Sequence, residues 1–170
     1  MTGGAFHALD LAGPAARLAH VTLDGEAVTR LSPTLDAERA QAMADLQTEN
    51  RFLPALATGV PVGPYGLRLA IQEGRLVFAI SAGEVMLRRV LLAMGPFRGL
   101  IKDYQMLVDS HAQAMADGRE IRIQAIDMGR RGLHNEGATL LIERLAGKIT
   151  IDFATARRLF TLVCVLHQRA

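Results

Sequence analysis

The segment 126–137, Ile-Asp-Met-Gly-Arg-Arg-Gly-Leu-His-Asn-Glu-Gly, places Asp127, Arg130, Arg131, His134, Asn135 and Glu136 within ten residues. Two guanidiniums ahead of a helix N-terminus would hold an anion, because planar forks and free backbone N–H groups add to the helix dipole. His134 is a weak candidate acid or base, since an imidazole titrates near neutral pH. The plainer reading is a polar inter-helix turn in which Asp127 and Glu136 neutralise the arginines. A second arginine pair, Arg157 and Arg158, falls in the first turns of the last expected helix. Cations there oppose the dipole, so they need carboxylate partners (Asp152, Glu136 or Glu143) or an anionic ligand shared with segment 126–137.

Other reactive side chains make weaker cases. Cys164 and His167 are three apart on one helical face, a spacing open to a metal or a thiolate–imidazole pair, but no third ligand is nominated. Cys164 lies between Val163 and Val165, so an inert core thiol is the expectation. Arg98, Lys102 and Asp103 read as a solvated helix face, and His7, His20 and His111 stand apart from other ligand types. Neither a nucleotide phosphate loop nor a serine nucleophile motif is present. No metal site and no cofactor is expected, and catalytic residues stay unassigned beyond His134.

Helices and strands must bring these groups together. Ser32–Pro33 suits a helix start, and Leu35, Arg39, Ala42, Met43 and Leu46 carry the helical period to about Asn50. Residues 51–66, dense in Pro and Gly, read as a long irregular loop. A short strand is expected at 18–24, with a possible continuation at Ala27–Leu31. Alternation and turn signals then mark strands at 67–72, 75–81 and 85–94, an antiparallel meander. A helix follows over 97–116. Residues 120–131 fit either period, residues 132–135 break them, and Asn135 caps a helix over 136–146. A short strand at 148–151 precedes a final helix, 153–167, capped by Asp152 and apolar enough to be central. The expected fold is α+β: a small, mainly antiparallel sheet packed by helices, with a C-terminal helical layer. One domain, 18–170, would follow a flexible tail, 1–17.

Composition narrows the function classes. The chain has 170 residues, 50% hydrophobic and 21% charged, with a formal charge of +2. Lysine occurs only at 102 and 148, so nearly all the cations are arginine. Aromatic residues amount to 5%, with no Trp, which argues against a base-stacking nucleic-acid surface. A single cysteine rules out an internal disulfide and fits a reducing cytoplasm. The N-terminus lacks signal-peptide features, and no apolar run approaches the roughly 20 residues of a membrane span.

The runs GPYGLRLAI (63–71), GPFRGLIKDYQML (95–107), VTLDGEAVTRLSPTLDAERAQAMADL (21–46) and above all residues 125–167 are similar to the uncharacterised protein family 0262. The resemblance spans about 18–168; residues 1–17 and 54–62 fall outside it. It implies a small soluble bacterial protein, of alphaproteobacterial type, and brings no catalytic or cofactor residues with it. The functional expectation is therefore a non-catalytic binding or adaptor protein. Its arginine-rich groove, Asp127, Arg130, Arg131, His134, Asn135, Glu136, Arg157 and Arg158, would take an acidic peptide or an anionic metabolite. The alternatives are an enzyme acting on a phosphorylated or carboxylated small molecule, with Asp127 or Glu136 orienting His134, and a structural homo-oligomer.

Overall fold

The computed structural model describes residue 11 and residues 13–24 and 31–169. Most of the expected tail, His7 and residues 27–30 of the possible strand continuation lie outside the described residues. The strand order is β1 (Leu18–Leu23), β3 (Tyr65–Gln72), β4 (Arg75–Ala82), β5 (Val85–Ala93), and a separate pair joins β2 (Phe52–Pro54) to β6 (Ile149–Ile151). The helices are α1 (Pro33–Thr48), α2 (Arg98–Asp117), α3 (Glu120–Leu145) and α4 (Phe153–Arg169), with a short 3-10 turn at Gly95–Phe97.

The meander forms because its turns are built for it. Glu73 and Gly74 both take positive φ between β3 and β4, and Gly83 does so between β4 and β5. Alternation then sends Leu67, Leu69, Leu76, Phe78, Ile80, Val90 and Leu92 to the helix-covered face, where all are buried. β1 joins this sheet parallel to β3, with α1 lying in the connection between them. Asn50 secures that arrangement just after α1. Its buried amide accepts from Leu18 N at 2.6 Å and donates to Leu18 O at 3.0 Å and Leu46 O at 2.7 Å. Residues before β1 are bonded too, with Phe52 N donating to Ala16 O and Tyr65 N to Arg17 O.

Two expectations need correction. Residues 51–66 are not wholly irregular: Phe52–Pro54 pairs antiparallel with β6. Phe52 is fully buried, and Arg51 N donates to Thr155 Oγ1 at 2.9 Å, so tertiary anchoring overrides the local Pro and Gly content. The break expected at 132–135 is absent as well, since α3 runs unbroken from Glu120 to Leu145. Gly129, Gly132 and Gly137 are tolerated inside it, and Asn135 caps nothing. The reason at Gly137 is packing: a Cβ there would lie 2.4 Å from the Phe160 ring, so α4 comes close only because the side chain is missing. Asp152 does cap α4, accepting from Thr155 N at 3.0 Å. Residues 159–166 of α4 are all buried, which makes it the central helix.

Candidate functional site

The unbroken α3 removes the helix N-terminus on which an anion site at Arg130–Arg131 would depend. It replaces that geometry with a helical stripe. Asp127, Arg130 and His134 follow at intervals of three and four, so they share one face, turned toward α1, α2 and α4. Arg131, Asn135 and Glu136 are exposed and lie off that face. Of the eight nominated residues, the structure gathers His134, Arg157 and Arg158 around one region, links Arg130 to it through Glu38 and Asp127 through Arg130, and leaves the other three outside it.

That region is a cleft of about 170 Å³ between α1, α3 and α4. α1 contributes Glu38, Gln41 and Asp45, α3 contributes His134, and α4 contributes Ala154, Arg157, Arg158 and Thr161. The carboxylates are already engaged. Arg130 donates to Glu38 Oε1, and the Tyr104 hydroxyl donates to Glu38 Oε2 at 3.2 Å. Arg130 also lies 3.8 Å from Asp127, whose same oxygen is 3.5 Å from His111 Nε2. Asp45 accepts from Gln41 at 2.9 Å and faces Arg158 Nε at 3.5 Å. The partners expected for the second arginine pair, Asp152, Glu136 and Glu143, are therefore not the ones used.

Arg157 differs from its neighbours. It forms no ion pair among the described residues; its Nε, like that of Arg130, is buried without an acceptor. Its backbone carbonyl accepts from Thr161 Oγ1 at 3.3 Å, and that same oxygen is 3.2 Å from His134 Nε2. The hydroxyl thus lies within hydrogen-bond distance of both Arg157 O and the imidazole, and which of Oγ1 and Nε2 donates depends on the His134 tautomer. Burial, helped by the nearby Arg157 and Arg130 charges, lowers His134 to about 4. The Tyr104 ring packs against it at 5.2 Å between centroids. Burial foremost, with the Glu38 charge beside it, raises the Tyr104 phenol, which stays a donor. Neither Asp127 nor Glu136, the carboxylates expected to orient His134, is bonded to it.

Glu38, Gln41, Asp45, Tyr104 and Thr161 were not nominated from the sequence. Signals for some of them existed: Glu38, Gln41 and Asp45 recur at helical spacing, and Thr161 is the polar residue within the apolar stretch of α4. Cys164 is buried and its thiol is pushed up by desolvation, as expected for a core residue. His167 Nδ1 is buried without a partner. Among the described residues, no group of three or more His, Cys, Asp and Glu is placed to hold a metal ion, and no helix is long and apolar enough to cross a membrane.

The model of the uncharacterised protein family UPF0262 matches residues 15–169. A UPF0262 protein of Granulibacter bethesdensis is 62% identical over 159 residues, covering 90% of both chains. One of Acidiphilium cryptum is 57% identical, covering 91% of this chain and 94% of its own. One of Rhizobium meliloti is 49% identical, covering 90% of this chain and 95% of its own. No solved structure matches significantly. The chain belongs to the UPF0262 family.

Proposed function

We propose that this UPF0262 chain is a non-catalytic binding protein for a small anionic metabolite, held in the α1–α3–α4 cleft. The observation that carries this reading is Arg157. In a cleft where each lining carboxylate already has a cationic or amide partner, it is the lining guanidinium left without an ion pair among the described residues. A carboxylate or phosphate entering the cleft would give this guanidinium, through its outer N–H groups, the anionic partner it lacks. Thr161 and the His134 ring add short polar groups on one wall. Gln41 and Arg158 stand on the other sides.

Size selects between the ligand classes. About 170 Å³ is below the 300–1,000 Å³ of drug-sized pockets, so it suits a carboxylate or phosphate group on a small molecule better than an acidic peptide. The state of His134 favours binding over catalysis. A neutral imidazole lowered to about 4 is a weak base at pH 7, and its Nε2 already lies 3.2 Å from Thr161 Oγ1. The test is a thermal-shift screen with inorganic phosphate, nucleotides and small dicarboxylates. At least one should raise the melting temperature of the wild type and not that of Arg157→Ala. A hit that stabilises both proteins equally overturns the assignment.

A further inference from the structure

We propose that the seam between α2 and α3 is a docking groove for a basic amphipathic helical segment of a partner protein. Two shallow depressions, of about 430 and 350 Å³, lie end to end along the antiparallel pair. Leu100 and Leu140 line the first and Leu107 and Leu133 the second, all half-buried, while Met106 stands 58% exposed at the edge. At about 100° per residue, Glu136, Leu140 and Glu143 fall roughly 200° round α3 from His134, so the groove is on the far side of that helix from the anion cleft.

Charge identifies the occupant. The ionisable groups lining the two depressions are Asp103, Glu136 and Glu143. All three are exposed, and none makes an ion pair among the described residues. Two exposed cations adjoin the lining residues in sequence, Lys102 beside Asp103 and Arg144 beside Glu143, but neither lines a depression. An apolar floor with a carboxylate rim complements a helix that presents leucine-like side chains at i, i+3/i+4 and i+7, flanked by Lys or Arg. From Leu100 to Ser110 the groove is roughly 15 Å long, enough for about three turns of such a helix. A second copy of this chain docking by the same face would bring two copies of the Asp103, Glu136 and Glu143 rim together, which disfavours self-association there. The same carboxylates repel nucleic acid and anionic membranes.

The test uses the full chain and two fluorescein-labelled synthetic amphipathic peptides of about 14 residues, long enough to fill three to four turns. They share one leucine stripe and differ in carrying Lys or Glu on its flanks. The Lys peptide should bind at least about tenfold more tightly than the Glu peptide. Hydrogen-exchange protection should appear at 100–110 and 133–143. The Glu136→Lys/Glu143→Lys variant should weaken binding by a similar factor, and Leu133→Asp should weaken it without altering the circular dichroism. Arg157→Ala should bind the peptide normally, which separates this outcome from that of the anion cleft. Equal binding of both peptides, no binding of either, protection mapped elsewhere, or a solution dimer whose exchange protection already covers these segments would each overturn the proposal.

Discussion

Arg130 of α3 and Glu38 of α1, 92 residues apart in sequence, form an ion pair whose carboxylate also accepts the Tyr104 hydroxyl of α2. Both charged side chains are largely shielded, at 18% and 15% exposure. The pair therefore ties three helices together at the edge of the cleft that Glu38 lines, and its loss should be felt as stability.

Removing one partner strands the other charge away from bulk water. Arg130→Met is expected to destabilise by about 2–3 kcal/mol, somewhat less than for a fully buried pair. Arg130→Met combined with Glu38→Met should recover most of that loss, because no charge is then left alone. Tyr104→Phe should cost about 1 kcal/mol, one hydrogen bond to a charged acceptor that retains Arg130. Urea unfolding of the four proteins measures all three values.

Gly137 and Gly132 lie in the same helix and answer the same substitution with opposite signs. A Cβ at Gly137 meets the buried Phe160 ring at 2.4 Å, whereas one at Gly132 meets nothing within 4 Å. Gly137→Ala should destabilise by about 1–3 kcal/mol through overpacking. Gly132→Ala should stabilise by about 0.5–1 kcal/mol, since alanine has the better helix propensity at an exposed site. Paired thermal melts decide it.

His134 gives the fold a defined acid sensitivity. Its value drops from an ordinary 6.5 to about 4 on folding, chiefly through burial. Between those values the unfolded chain binds a proton that the native ring refuses, so stability falls as pH is lowered from about 6.5 through 4. The contribution is complete above 6.5 and is on the order of 3 kcal/mol. His134→Gln keeps a polar amide within reach of Thr161 but cannot titrate. Its stability should decline less than that of the wild type over this window when both are unfolded in urea at stepped pH.

The meander, the central helix α4 and the Ser32 and Asp152 caps were legible because period, turn residues and capping residues all agreed locally. The junction at 132–135 misled because its glycines and Asn135 carry turn chemistry. What holds α3 straight is tertiary, the contact of Gly137 with Phe160 and of His134 with Tyr104 and Thr161. Likewise Phe52 forms a strand only because β6 and Ala16 supply partners far away in sequence. The site was half legible. Arginine and histidine types flagged 130, 134, 157 and 158, but no local pattern could show that Glu38 and Asp45 of α1 would neutralise Arg130 and Arg158 and leave Arg157 over. Asn135 and Glu136, next along the sequence from His134, are turned about 100° and 200° away from it round the helix.

The central claim is that Arg157, and not the more conspicuous Arg130–Arg131 pair, is the anion-binding group. Isothermal titration of the best anion from the screen into wild type, Arg157→Ala and Arg131→Ala tests it most directly. Binding should weaken by at least about tenfold with Arg157→Ala, the loss of one charge-assisted contact, and stay unchanged with Arg131→Ala. Undiminished binding by Arg157→Ala, or a loss confined to Arg131→Ala, would contradict it.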